Sequence, residues 1–167
     1  MKRLTHCVLL LLPLVCQAAL AAPPTNACHP PVVRTLASGQ TAVIAEGEFE
    51  ACSTGSYSVR LYEAAPEADR TTFFQDGIVV ARSGDIARVV LADIEGKGNE
   101  DIVVVVRSVG TGNYLSARAF AYDRHNLSLI AQVEDLPANG DPLAALRQAI
   151  KPPPVPNGSD DGQGAVH

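Results

Sequence analysis

Hydrogen-bond donors are concentrated in two short, similar segments, Thr54-Gly55-Ser56-Tyr57 and Thr111-Gly112-Asn113-Tyr114, with Ser53 and Ser108 upstream of them. The second lies in the richer run Ser108-Val109-Gly110-Thr111-Gly112-Asn113-Tyr114. Two glycines and an asparagine permit left-handed backbone, so successive N–H groups can converge on one point. With a hydroxyl and a phenol beside them they would form a knob of donors, which suits a cleft containing carboxylates. The same composition also makes an ordinary hairpin turn, and the residues alone leave both readings open.

Other groups offer weaker chemistry. The segment Asp93-Ile94-Glu95-Gly96-Lys97-Gly98-Asn99-Glu100-Asp101 has the acidic, glycine-spaced look of a calcium loop. Calcium needs several oxygen ligands, and Lys97 stands where a third carboxylate is wanted. A structural turn between Val- and Ile-rich runs is therefore expected, with no metal. Glu46, Glu48 and Glu50 alternate around Gly47. Paired carboxylates can cleave glycosides, but these read as a solvated acidic edge. His29 lies among prolines, His125 in a polar turn and His167 at the C-terminal end. There is no G-x-S-x-G elbow for a nucleophile and no C-x-x-C spacing for redox or zinc chemistry. No catalytic residue and no cofactor are expected.

The 167 residues carry a net charge of −5, with 5% aromatics and no Trp. An acidic chain without a Lys/Arg stripe is a poor partner for nucleic acid, and few aromatics argue against a carbohydrate-binding module. Met1-Lys2-Arg3, the apolar run Val8–Val15 and the small residues Ala18–Ala22 describe a secretory signal peptide. Cleavage is expected after Ala21. Removing Lys2 and Arg3 from 13 basic residues, against 18 acidic ones, leaves a mature charge of −7. Cys7 and Cys16 leave with the signal. Neither Cys16 nor Cys28 follows a lipoprotein box, so no membrane anchor is expected. Cys28 and Cys52 remain as a pair in an oxidising compartment, where a disulfide is expected.

The elements that must position these groups are mostly strands. Thr41–Glu46, Ser56–Tyr62, Gly77–Arg82, Ile86–Ile94, Asp101–Arg107, Leu115–Tyr122 and Leu127–Glu134 are separated by Gly, Asp, Asn and Ser. In Ser56–Tyr62, Tyr57, Val59 and Leu61 face one way. Asp101–Arg107 is apolar on both faces and should be central and covered. One helix follows: Asp141 suits the N-cap and Pro142 the first position, with Leu143, Leu146 and Ile150 on one face. The pattern predicts an all-β, antiparallel sandwich-like domain over residues 22–151 with one short C-terminal helix. Residues 152–167 are read as a disordered tail.

The chain resembles the periplasmic inhibitors of invertebrate-type (i-type) lysozyme of Gram-negative bacteria. The resemblance spans roughly Leu36 to Asp123. It is carried by Ala45–Glu50 with Ser53–Tyr62, by Leu91–Gly98 leading into Asp101–Arg107, and by the loop Ser108–Tyr114. It implies a sandwich-like β fold, no catalytic activity and no cofactor. It also implies that a Ser-Gly-x-Tyr loop enters the lysozyme's active-site cleft. The matching positions are Thr111, Gly112, Asn113 and Tyr114, with Thr in place of Ser. Ser108 and Gly110 belong to the same loop, and Thr54, Gly55, Ser56 and Tyr57 would form a secondary one. Inhibitors of c-type lysozyme carry a similar loop, and a homodimer is within the family's range. The expectation is a periplasmic inhibitor of lysozyme, most simply i-type. The alternative is a calcium-dependent adhesion or scaffold module using Asp93–Asp101.

Overall fold

The computed structural model describes residues 28–64, 72–123 and 125–150. The expected signal peptide and C-terminal tail lie outside the described residues. Eight strands and one helix follow in order: β1 (Val32–Thr35), β2 (Thr41–Glu46), β3 (Thr54–Tyr62), β4 (Phe74–Ser83), β5 (Asp85–Ala92), β6 (Asp101–Arg107), β7 (Leu115–Asp123), β8 (Asn126–Leu136) and α1 (Pro142–Ile150). They form two four-stranded antiparallel sheets, β1-β2-β3-β4 and β5-β6-β7-β8. Among the described residues no helix is long and apolar enough to cross a membrane.

Alternation places the core. Tyr57, Val59 and Leu61 are fully buried, as their spacing predicts, and meet Val104, Val106 and Phe120 of the second sheet in one cluster. Phe120 takes an edge-to-face position on Tyr57, with ring centres 6.4 Å apart. The opposite face of the second sheet presents Val103, Val105 and Ala117 to Leu146 of α1. Strand β6 is thus covered on both faces, the reason its sequence is continuously apolar. The helix begins as expected: Asp141 Oδ1 accepts the N–H groups of Leu143 (3.0 Å) and Ala144 (3.2 Å), which satisfies two orphan donors of the first turn.

The segment after Pro30 and Pro31 adds an edge strand to those the pattern predicts: Val32–Thr35 pairs with β2, where a preceding proline is tolerated. One expected boundary needs correction. Ile94 lies beyond the end of β5, yet it is buried in the helix-side cluster.

Cys28 and Cys52 form a disulfide with a Cα–Cα distance of 5.5 Å, within the range such bonds require. It closes a loop between residues 24 apart in sequence, worth about 3 kcal/mol in the chain-entropy model. Thiol titration of the denatured, unreduced mature protein should find no free thiol; two per chain would contradict the bond.

Candidate functional site

The meander puts alternate turns at opposite ends of the molecule. The β2–β3 turn, the β4–β5 junction and the β6–β7 turn all lie at one end, together with the disulfide. The β6–β7 turn is the Ser108–Tyr114 segment. Strand pairing ends at Arg107 and Leu115, and the Ser108 N–H donates to the Tyr114 carbonyl oxygen at 2.8 Å. That bond closes the base. Val109–Tyr114 are exposed beyond it, with half of the Tyr114 surface open. Gly110 (φ 132°) and Asn113 (φ 48°) take the left-handed backbone their types permit. Gly112 does not; its role is space, because a Cβ there would collide with the Tyr114 ring. Thr111, Gly112, Asn113 and Tyr114 therefore form one exposed tip on a closed base.

The base is built from residues that the donor pattern did not reveal. A Cβ on Gly84, the one residue between β4 and β5, would collide with the Arg107 carbonyl oxygen, so only glycine lets the junction lie against the loop's root. The Gly84 N–H donates to the Ser53 carbonyl at 2.8 Å. Arg82, with a side chain 0% exposed, donates to the carbonyl oxygens of Ser56 (3.1 Å), Cys52 (2.6 Å), Gly84 (2.5 Å) and Ala51 (3.3 Å). Its Nη2 also stands 3.7 Å from Oε2 of Glu46, whose side chain is 2% exposed. His29 Nδ1 approaches the same oxygen at 3.1 Å. Arg82, disulfide and Gly84 thus bind the β2–β3 turn, the sheet junction and the donor loop into one rigid end.

Glu46 overturns the reading of an acidic edge. It ends β2 and is buried against Arg82, while Glu48 and Glu50 lie in the exposed turn beyond it. Glu50 folds back to accept the Ser56 N–H and, at 2.9 Å, the Ser56 hydroxyl. The backbone bond, with the hydroxyl's help, lowers the Glu50 pKa below the usual carboxylate range. His29, Glu46 and Asp85 bring donor atoms within 4.8 Å of one another. The Arg82 guanidinium on the same Glu46 oxygen makes this an ion-pair network.

The first copy of the donor pattern is not a loop. Thr54–Tyr57 opens β3, and Tyr57 is fully buried. Burial pushes its phenol up to about 12, partly offset by the Arg118 charge. The Tyr57 hydroxyl makes no hydrogen bond of normal geometry, although Arg118 is near enough to act on it electrostatically. Of the four residues Tyr57 faces the core, Gly55 and Ser56 are half-buried, and Thr54 alone is exposed.

The turn Asp93–Asp101 lies at the other end. Asp93 accepts the N–H groups of Gly96 (2.6 Å), Lys97 (3.1 Å) and Gly98 (2.8 Å), and Asp101 accepts that of Ile94 at 2.9 Å. The Gly98 bond leads the causes that lower the Asp93 pKa. Lys97 pairs with Glu95 at 2.8 Å. These oxygens serve the backbone of the turn, so added calcium should leave the melting temperature unchanged; a marked rise would reveal a bound ion.

A model of the family of periplasmic lysozyme inhibitors of I-type lysozyme matches residues 31–150. The chain belongs to this family. Two crystal structures of its Aeromonas hydrophila member are similar to it, each at 40% identity with a TM-score of 0.66 over 71% of this chain. The first is of the inhibitor itself and is covered over 99% of its length. The second, covered over 96%, holds that inhibitor in complex with Meretrix lusoria lysozyme. A comparison with curated proteins gives no match. The span matched to the I-type inhibitor family takes in both sheets and α1 but begins after Cys28. The family is a periplasmic one and its members are inhibitors, not enzymes.

Proposed function

We propose that this protein inhibits I-type lysozyme by seating the Ser108–Tyr114 loop in the enzyme's active-site cleft. The observation that carries the reading is the exposed tip Thr111–Tyr114 on a base closed by the Ser108–Tyr114 bond, in a chain of the inhibitor family. Lysozyme works with two carboxyl groups across its cleft. The Thr111 hydroxyl, the Tyr114 phenol and the N–H groups of Gly112 and Asn113 would offer them charge-assisted hydrogen bonds. A plug of this kind needs no turnover and no cofactor. The family is periplasmic, and we assign export to the signal sequence with cleavage after Ala21.

The test is a panel of c-, g- and i-type lysozymes assayed with the purified mature protein. Inhibition of the i-type enzyme is expected. Inhibition of none would remove the reading, and inhibition of c-type alone would move the target class.

A further inference from the structure

Phe49 has the most exposed surface of any large apolar side chain among the described residues, 83%. It stands at the β2–β3 turn with φ 65°, a left-handed conformation that a bulky residue seldom adopts. A ring in water and a left-handed backbone both cost stability, and at this exposure the ring regains almost nothing from its own fold.

The turn that carries it is nevertheless held from several sides. Cys52 is tied to Cys28. Arg82 holds the carbonyls of Ala51, Cys52 and Ser56. The Gly47 N–H donates to the Ser56 carbonyl at 3.0 Å, and Glu50 grips Ser56. Gly84 then links Ser53 of this turn to the root of the Ser108–Tyr114 loop. Phe49 is thus a rigidly presented aromatic at the same end as that loop, with its ordering cost met before any encounter.

From this we infer that Phe49 is a second anchor for lysozyme, packing on the enzyme's surface outside the catalytic cleft while the Ser108–Tyr114 loop occupies the cleft. The inference rests on the proposed function. Its neighbours define the surface it fits. Glu48 is exposed beside it, and on the other side Glu50 holds its carboxylate on the Ser56 N–H and hydroxyl. The complementary patch is apolar at its centre and rimmed by Lys or Arg. Buried aromatics with a polar rim dominate interface energetics.

Phe49→Asn separates binding from folding, because Asn tolerates the left-handed region. Its melting temperature should equal or exceed the parent's, while Kd for an I-type lysozyme should weaken about 10- to 100-fold, chiefly through faster dissociation. Phe49→Tyr, which keeps a ring, should bind nearly as the parent does. Tyr114→Ala is measured alongside. If Tyr114→Ala loses affinity and Phe49→Asn does not, the second anchor falls and the loop reading stands. If the parent does not bind the enzyme, both fall. A marked drop in melting temperature for Phe49→Asn would make Phe49 a structural residue. A dimer-to-monomer change with unaltered lysozyme affinity would make its occupant a second copy of this chain. Either result overturns the inference.

Discussion

Tyr114→Ala should weaken inhibition of an I-type lysozyme by about 100-fold or more. The change removes a phenol able to bond an ionised carboxylate, worth about 1.5–3 kcal/mol, or roughly ten- to a hundred-fold in Kd. It also removes the ring that lies over Gly112, an aromatic of the kind that anchors interfaces. Thr111→Ala removes only a hydroxyl and should cost about ten- to a hundred-fold. Both residues are exposed, so circular dichroism and the melting temperature should change little. Thr54→Ala should leave inhibition unaltered, because its segment opens β3 and carries a buried tyrosine. If Tyr114→Ala and Thr111→Ala inhibit as the parent does, the loop is only a turn.

The largest loss of stability is expected at Arg82. Arg82→Met removes the donor to four carbonyl oxygens and strips Glu46 of its buried counter-charge. Breaking a buried pair by deleting one partner costs about 3–5 kcal/mol, since the remaining charge is left uncompensated. Urea unfolding should show that loss in the midpoint with little change in slope. The double variant Arg82→Met/Glu46→Leu should recover part of it, because no lone carboxylate then remains buried. It should not recover all, because the carbonyls stay unpaired. Inhibition by Arg82→Met should also weaken, as Gly84 and the loop root lose their support. An unfolding midpoint equal to the parent's would show that the guanidinium is dispensable.

How much was legible in the sequence depended on how local the cause was. Strand β6 could be read because burial on both faces leaves a continuous apolar run, and the start of α1 because Asp141 and Pro142 act on their own first turn. The donor loop could be picked out because Gly110 and Asn113 are the types that left-handed backbone selects. Thr54–Tyr57 misled because a tetrapeptide of the same types is compatible with a strand opening. What decides it is pairing with β4, where Tyr57 lies opposite Val80. Glu46 looked solvated for a similar reason: its partner Arg82 is 36 positions away and is brought to it only through the β2–β3–β4 ladder. Phe49 gave no periodic signal at all, since a single apolar residue in a turn belongs to no face.

Within each sheet, strands consecutive in sequence lie side by side. Most backbone pairing is therefore between residues close in sequence, which keeps contact order low for a β protein and should favour fast folding within that class. Each hairpin can close as soon as its two arms exist, so a chain emerging N-terminus first can zip β1 to β4 before β6 has appeared. Hairpins alone gain little, however, until an apolar face is covered. Ile44, Val59 and Leu61 are covered by second-sheet residues that include Val104, Val106 and Phe120. The first sheet should therefore remain a reversible template, and the arrival of β6 and β7 should be the event that commits the chain to its native state.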